Sequence, residues 1–113
     1  ICDNSGDYFD DEMRDAKNER INSNIVEVPC ITVQELLDKH KIKEVDLFSL
    51  DVEGYELDVL NGINFSSFRP KYYLIEMNYP NRKQTILKYM KSKKYKFIEY
   101  LSGNDGLFID NNL

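Results

Sequence analysis

Two apolar runs in this chain each end on a carboxylate, and the residues that follow them are the ones with chemistry to offer. In Val45-Asp46-Leu47-Phe48-Ser49-Leu50-Asp51-Val52-Glu53-Gly54-Tyr55-Glu56 the apolar stretch stops at two acids and a glycine, and in Lys71-Tyr72-Tyr73-Leu74-Ile75-Glu76-Met77-Asn78 it stops at an acid with an amide two positions on. A strand inside a parallel sheet is apolar because helices cover both faces, and ligands meet such a sheet in the crevice outside the carboxyl ends of its strands. Asp51, Glu53, Glu76 and Asn78 are therefore predicted at one crevice. No resident metal is expected. An alternative has Asp51, Glu76 and Asn78 hold a divalent cation, since hard oxygen ligands suit such an ion and the ion would acidify a bound hydroxyl. A plainer role for Asp51 and Glu53 is to cap the next helix, whose positive end favours carboxylates. A calcium loop starting at Asp51 is excluded, because its sixth and twelfth positions hold Glu56 and Gly62 where glycine and glutamate are required.

Those residues need elements to position them. A 113-residue chain with 42% apolar and 31% charged residues has the balance of a single globular domain with a modest core. Residues 1–24 carry seven acids and few large apolar groups, and read as an acidic, variable loop or arm. Ile25 to Ile31 alternates in part like a strand, with Pro29 confining it to an edge or a strand end. Thr32-Val33-Gln34-Glu35 has the form of a capping box, so a helix is predicted from there to about His40, burying Val33, Leu36 and Leu37. His40 is a helix-end residue with no acid or nucleophile beside it in sequence, where a cation suits the negative pole of the helix.

A strand over 45–51 is followed by a short helix over 56–61, closed by Gly62 as a left-handed cap. After a strand over 71–76, Asn81 to about Lys94 shows a helical apolar stripe at Ile86, Leu87, Tyr89 and Met90. Residues 96–101 and 107–110 then flank Ser102-Gly103-Asn104-Asp105-Gly106 as a hairpin. The tyrosines are expected to pack the sheet and helix with their hydroxyls at the rim. The order predicts an α/β fold with a mostly parallel sheet and a closing antiparallel hairpin at one edge.

Partners follow from charge, and the compartment from the length and placing of apolar runs. A net charge of −5 argues against nucleic acid, whose phosphates need a basic face, and the basic run from Arg82 to Lys96 reads as a solvated helix face. No apolar run is long enough to span a membrane, and no basic start precedes an apolar leader, so a cytoplasmic location is expected. Cys2 and Cys30, with a single histidine in the chain, form no metal-binding spacing; a disulfide between them is possible but not indicated, and two reduced thiols are the preferred reading.

The run from Val45 to Glu56, continued by Leu57-Asp58-Val59-Leu60-Asn61-Gly62 and by Arg69-Pro70-Lys71-Tyr72-Tyr73-Leu74-Ile75-Glu76, resembles the FkbM family of S-adenosylmethionine-dependent methyltransferases. The likeness covers roughly residues 26–80, including the helix start from Thr32 to Leu37, and it rests on the aspartate-x-glutamate-glycine core joined to the Glu-Leu-x-Val-Leu-x-Gly helix. It implies a Rossmann-like class I methyltransferase fold whose last strand is antiparallel, and transfer of a methyl group to a substrate oxygen. A sugar, glycan or secondary-metabolite hydroxyl is the implied acceptor.

On that likeness Asp51, Glu53 and Glu76 carry the catalytic roles, Glu53 orienting the acceptor or taking its proton. Asp51, Val52 and Gly54 meet the cofactor, and Glu53, Tyr55 and Asn78 line the acceptor side. The glycine-rich loop after the first strand of that fold, and the acid that holds the ribose, have no counterpart among the five glycines here. Residues 25–113 are thus expected to be the carboxyl-terminal half of such a domain, inactive alone, which agrees with a start at Ile1. The alternative is a non-catalytic Rossmann-like binding or assembly module that pairs with another chain through an open sheet edge.

Overall fold

The computed structural model describes residues 25–113, so the acidic arm assigned to residues 1–24 lies outside the described residues. The chain divides into two compact units, residues 1–31 and 32–113. In the first, the strand expected over Ile25 to Ile31 does not form. These residues have no regular element, and Ile25, Val26, Val28 and Ile31 are exposed. Partial alternation around a proline supplies no ladder partner, and without one the segment stays irregular.

Cys30 is disulfide-bonded, which overturns the expectation of two reduced thiols; the sequence has one other cysteine, Cys2, outside the described residues. Disulfides persist in oxidising compartments, so the cysteines lend nothing to the cytoplasmic expectation, which rested on the lack of a spanning run and of an apolar leader. No helix among the described residues is long and apolar enough to cross a membrane.

The second unit is a small α/β structure. Its elements are α1 (Val33–Lys39), β1 (Leu47–Leu50), α2 (Glu56–Asn61), β2 (Tyr72–Glu76), α3 (Pro80–Ser92), β3 (Tyr95–Leu101) and β4 (Asp105–Asp110). The threonine half of the capping box forms as predicted, with the Glu35 N–H donating to Thr32 Oγ1 at 3.1 Å. Leu37 is buried and Val33 half-buried, but Leu36 is exposed. Positions i and i+4 share a helix face, whereas Leu36 lies about 100° around the axis from Leu37.

Gly62 follows α2 without adopting the left-handed conformation expected of it, its φ being −88°. Close approach explains the glycine instead. A Cβ there would lie 3.2 Å from Thr32 Cβ, at a contact where the Gln34 N–H donates to the Gly62 carbonyl and the Asn64 N–H donates to Gln34 Oε1.

The four strands form one mixed sheet in the order β1-β2-β4-β3. β1 and β2 are parallel, with Leu50 opposite Ile75, while β4 runs antiparallel to both β2 and β3. The hairpin therefore does not simply extend an edge. Its second strand inserts between β2 and β3, and the connection from β2 through α3 to β3 steps over that place. Ser102 and Gly103 have positive φ in the hairpin turn, and the turn is shorter than the glycine spacing suggests because Gly106 lies inside β4.

Tyr73, Ile75, Gly106 and Phe108 form one buried face of the sheet, against which Leu37, Leu60, Phe65, Phe68, Ile86 and Met90 pack. The opposite face of β2 and β4 is only half-buried, and Leu47 and Ser49 of β1 are exposed, so the covering of both faces expected for β1 is not found among the described residues.

The rim expected for the tyrosine hydroxyls is also incomplete. Tyr95 is buried and donates to the Pro70 carbonyl at 2.6 Å, and the fully buried Tyr73 hydroxyl has no hydrogen-bond partner. Burial drives both phenols well above their ordinary pKa. Arg69 bolts the amino-terminal side of β2 to the end of β4. Its guanidinium donates to Asp110 through Nε at 3.0 Å and Nη2 at 2.7 Å, and to the carbonyls of Phe65 and Lys93, while lying over the Tyr95 ring.

Candidate functional site

The parallel register decides what meets at the carboxyl ends of β1 and β2. With Leu50 opposite Ile75, the next residue along each strand is a carboxylate, Asp51 on one and Glu76 on the other. Glu53 joins them because the chain turns sharply after Val52. Glu53 has φ +52° and Gly54 φ +100°, so two successive residues take left-handed conformations before α2 begins. Glycine suits the second, where a side chain would be strained. A non-glycine residue in that region is uncommon and costs stability, and such residues concentrate at functional sites.

The result is a triad. One carboxylate oxygen from each of Asp51, Glu53 and Glu76 lies within 4.8 Å of the others. Asp51 and Glu53 are exposed and Glu76 is half-buried, with Glu76 Oε2 buried and without a hydrogen-bond partner. A buried acceptor left unpaired is costly, and a ligand donor would satisfy it. Asp105, opposite Glu76 in the β2–β4 ladder, places a further carboxylate at the same end of the sheet.

Other predicted residues are committed elsewhere. The Asn78 side-chain oxygen accepts from Asn104 Nδ2 at 2.8 Å, and the Met77 N–H donates to the Asn104 carbonyl, so Asn78 fastens the end of β2 to the hairpin turn. Three hard oxygen donors for a divalent cation are consequently Asp51, Glu53 and Glu76, with Glu53 where the sequence suggested Asn78. Tyr55 sits at the start of α2 and is buried, which leaves little of its ring open to an acceptor. The Val52 and Gly54 N–H groups both donate to Glu56 Oε1, each at 3.3 Å, and the Gly54 carbonyl accepts from Arg82 Nη1.

Glu56 and Arg82 were not singled out by the sequence as site residues. Glu56 looks like one more acid in the first turn of a helix, and its burial to 3% exposure is visible only in the structure. Arg82 is one of the seven cations in the basic run and is separated by 28 residues from the carbonyl it reaches. Asp58, also on α2, has its carboxyl raised above the ordinary range by burial, an effect that nearby Arg82 opposes. Two clefts of about 320 and 380 Å³ lie near the junction of α3 and β3, one lined by Arg69, Lys93 and Lys94 and the other by Lys91, Tyr95 and Lys96. Neither includes the carboxylate triad.

The sequence pattern of the methyltransferase FkbM domain matches residues 3–97, most of the chain. The protein belongs to the FkbM methyltransferase family. No curated protein and no solved structure matches it significantly.

Proposed function

We propose that this chain forms the acceptor-facing part of an S-adenosylmethionine-dependent O-methyltransferase acting on a sugar, glycan or secondary-metabolite hydroxyl. The observation that carries the reading is the convergence of Asp51, Glu53 and Glu76 at two adjacent parallel strand ends, in a chain that belongs to a methyltransferase family. An antiparallel last strand inserted beside β2 supports assignment to the carboxyl-terminal half of a Rossmann-like class I fold.

The chemistry of the donor set fits the acceptor side of such a site. Clustered carboxylates disfavour an anionic acceptor and offer many oxygens to hydroxyl donors, which suits a neutral polyhydroxylated molecule. Glu76 Oε2 accepts a hydroxyl hydrogen bond and so orients the acceptor. Glu53, exposed at the tip of the turn, takes the proton of the reacting hydroxyl as its oxygen becomes nucleophilic. Asp51, whose carboxylate lies within 4.8 Å of both, faces the cofactor and the acceptor. When bound, S-adenosylmethionine supplies a sulfonium methyl that the acceptor oxygen attacks in line, leaving neutral S-adenosylhomocysteine. Alignment is the protein's main contribution to such a step.

A second reading has its own observation. β1 has β2 as its ladder partner and no other among the described residues, and Leu47 beside that edge is 52% exposed, as a pairing surface for another chain would be. Calorimetric titration of S-adenosylhomocysteine into the natural full-length product, its Asp51→Ala variant and the 113-residue chain separates the two. Binding by the full product that weakens in the other two supports the enzyme. Absence of binding by a folded full-length protein leaves the assembly module.

A further inference from the structure

The turn that carries Asp51 and Glu53 is held from two directions, by groups with no place in the reaction just described. Gly54 is buried, its N–H donates to Glu56 Oε1, and its carbonyl accepts from Arg82 Nη1, so both polar groups of this residue are engaged by side chains. The same Glu56 oxygen also accepts the Val52 N–H, which spans the turn on its other side. Between these two anchored amides sits Glu53, in the left-handed conformation that a non-glycine residue adopts only at a cost.

Glu56 belongs to α2, and Arg82 belongs to the first turns of α3, which follows directly on β2. The arginine thus ties the turn after β1 to the element that begins just beyond Glu76. Arg82 also lies close enough to Asp58 to oppose the rise in that carboxyl caused by burial, so its charge is balanced from the α2 side.

We infer that Glu56 and Arg82 are positioning residues that clamp the Asp51–Gly54 turn and thereby set the spacing of Asp51 and Glu53 from Glu76. This deepens the proposed methyltransferase site and rests on that reading for its functional consequence, but the clamp itself is measurable without it. Each feature has a defined task. Glu56 offers a buried anionic acceptor, which makes stronger hydrogen bonds to backbone N–H groups than a neutral one. Arg82 fixes the opposite side of the Gly54 residue and so resists rotation of that turn. Three like charges within 4.8 Å repel one another, and a turn without such anchors would relax by moving Asp51 and Glu53 away from Glu76.

An ordinary helix-start role for Glu56 makes a different prediction from a clamp. If its carboxylate only favours the start of α2, losing it frays α2; if it clamps the turn, the Val52 and Gly54 amides are released first. The experiment is amide hydrogen exchange, read residue by residue on the natural full-length product, for Glu56→Ala, Glu56→Gln and Arg82→Ala. Calorimetry with S-adenosylhomocysteine as the probe runs in parallel, with Asp51→Ala included.

Glu56→Ala is expected to speed exchange at Val52 and Gly54 by about tenfold, the factor for a charge-assisted hydrogen bond, with Val59 and Leu60 unchanged, and to weaken the probe by a similar factor. Glu56→Gln keeps an acceptor oxygen and should restore most of both. Arg82→Ala should move the same two readouts in the same direction, and it serves with Glu56→Gln if Glu56→Ala does not fold. Unchanged exchange at Val52 and Gly54 in all variants overturns the clamp, as does fraying confined to α2. Faster exchange with unaltered probe affinity, where Asp51→Ala does weaken the probe, overturns the positioning role. If Asp51→Ala is also without effect on the probe, the methyltransferase site reading fails, and exchange at the two amides decides the clamp alone.

Discussion

Replacing Glu53 should make the protein more stable, because the residue is held where both its charge and its backbone are unfavourable. Its carboxylate lies within 4.8 Å of one oxygen each of Asp51 and Glu76. At that separation, a pair of like charges in a water-like dielectric costs about 0.9 kcal/mol. With a Debye length of about 8 Å at physiological ionic strength, screening leaves roughly half, so the two pairs together cost about 1 kcal/mol. Glu53→Gln removes this charge and keeps the side-chain shape, and is expected to raise unfolding free energy by about 1 kcal/mol. At about 1 M salt the Debye length falls to about 3 Å and the gain should shrink to a few tenths.

Glu53→Gly adds a second effect. The relief of a left-handed non-glycine residue is worth about 1–2 kcal/mol, against about 0.5–1 kcal/mol for the extra freedom of glycine in the unfolded chain. Urea unfolding at low and high salt measures both variants, the midpoint being compared at constant slope. A Gln variant less stable than the parent, or a gain that does not change with salt, would refute the repulsion argument and point to a cation or donor that holds the three carboxylates together. Stability rising while methyl transfer falls is the trade-off expected where a site is built from mutually unfavourable groups.

Two further perturbations test the scaffold. Arg69 holds the Asp110 carboxyl below its ordinary value of 3.8, first by hydrogen bonding. That pair therefore stabilises the fold fully above about pH 4, and its contribution disappears as pH falls through the lowered value. Asp110→Asn should flatten the acid limb of a stability–pH curve below about pH 4, and Arg69→Ala should cost about 3 kcal/mol in urea unfolding, the lower end for a mostly buried pair that loses one partner. Gly106→Ala should be destabilising by about 1–3 kcal/mol, since the new methyl would overlap the end of Met77 and press on Phe97 and Phe108, whereas Gly103→Ala meets no atom within 4 Å and its cost is limited to backbone strain.

The parts of the fold that were readable from sequence are those where one local signal and the tertiary environment agree. Thr32 and Glu35 mark a helix start that forms, and the apolar stretches ending at Leu50 and Ile75 become strands whose parallel register brings Asp51 beside Glu76. Legibility fails where the deciding contact is distant in sequence. The alternation of Ile25 to Ile31 cannot reveal that no ladder partner exists for it among the described residues, and Gly62 serves close packing against Thr32 rather than a left-handed cap.

In the site, the positions of Asp51, Glu53 and Glu76 follow from the strand ends. Asn78 is drawn away by Asn104, 26 residues later, and Arg82 reaches Gly54 across 28 residues. The disulfide at Cys30 likewise has no local signature, because the spacing of two cysteines does not report their distance in space.

A crystal structure of the natural full-length product with S-adenosylhomocysteine bound tests directly whether the Asp51, Glu53 and Glu76 crevice is the methyl-transfer site. The thioether sulfur is expected to face the crevice bounded by Asp51, Glu53 and Glu76, with room for an acceptor hydroxyl between the sulfur and the carboxylates. A ligand bound at another part of the fold, with the three carboxylates turned to bulk solvent, would contradict it.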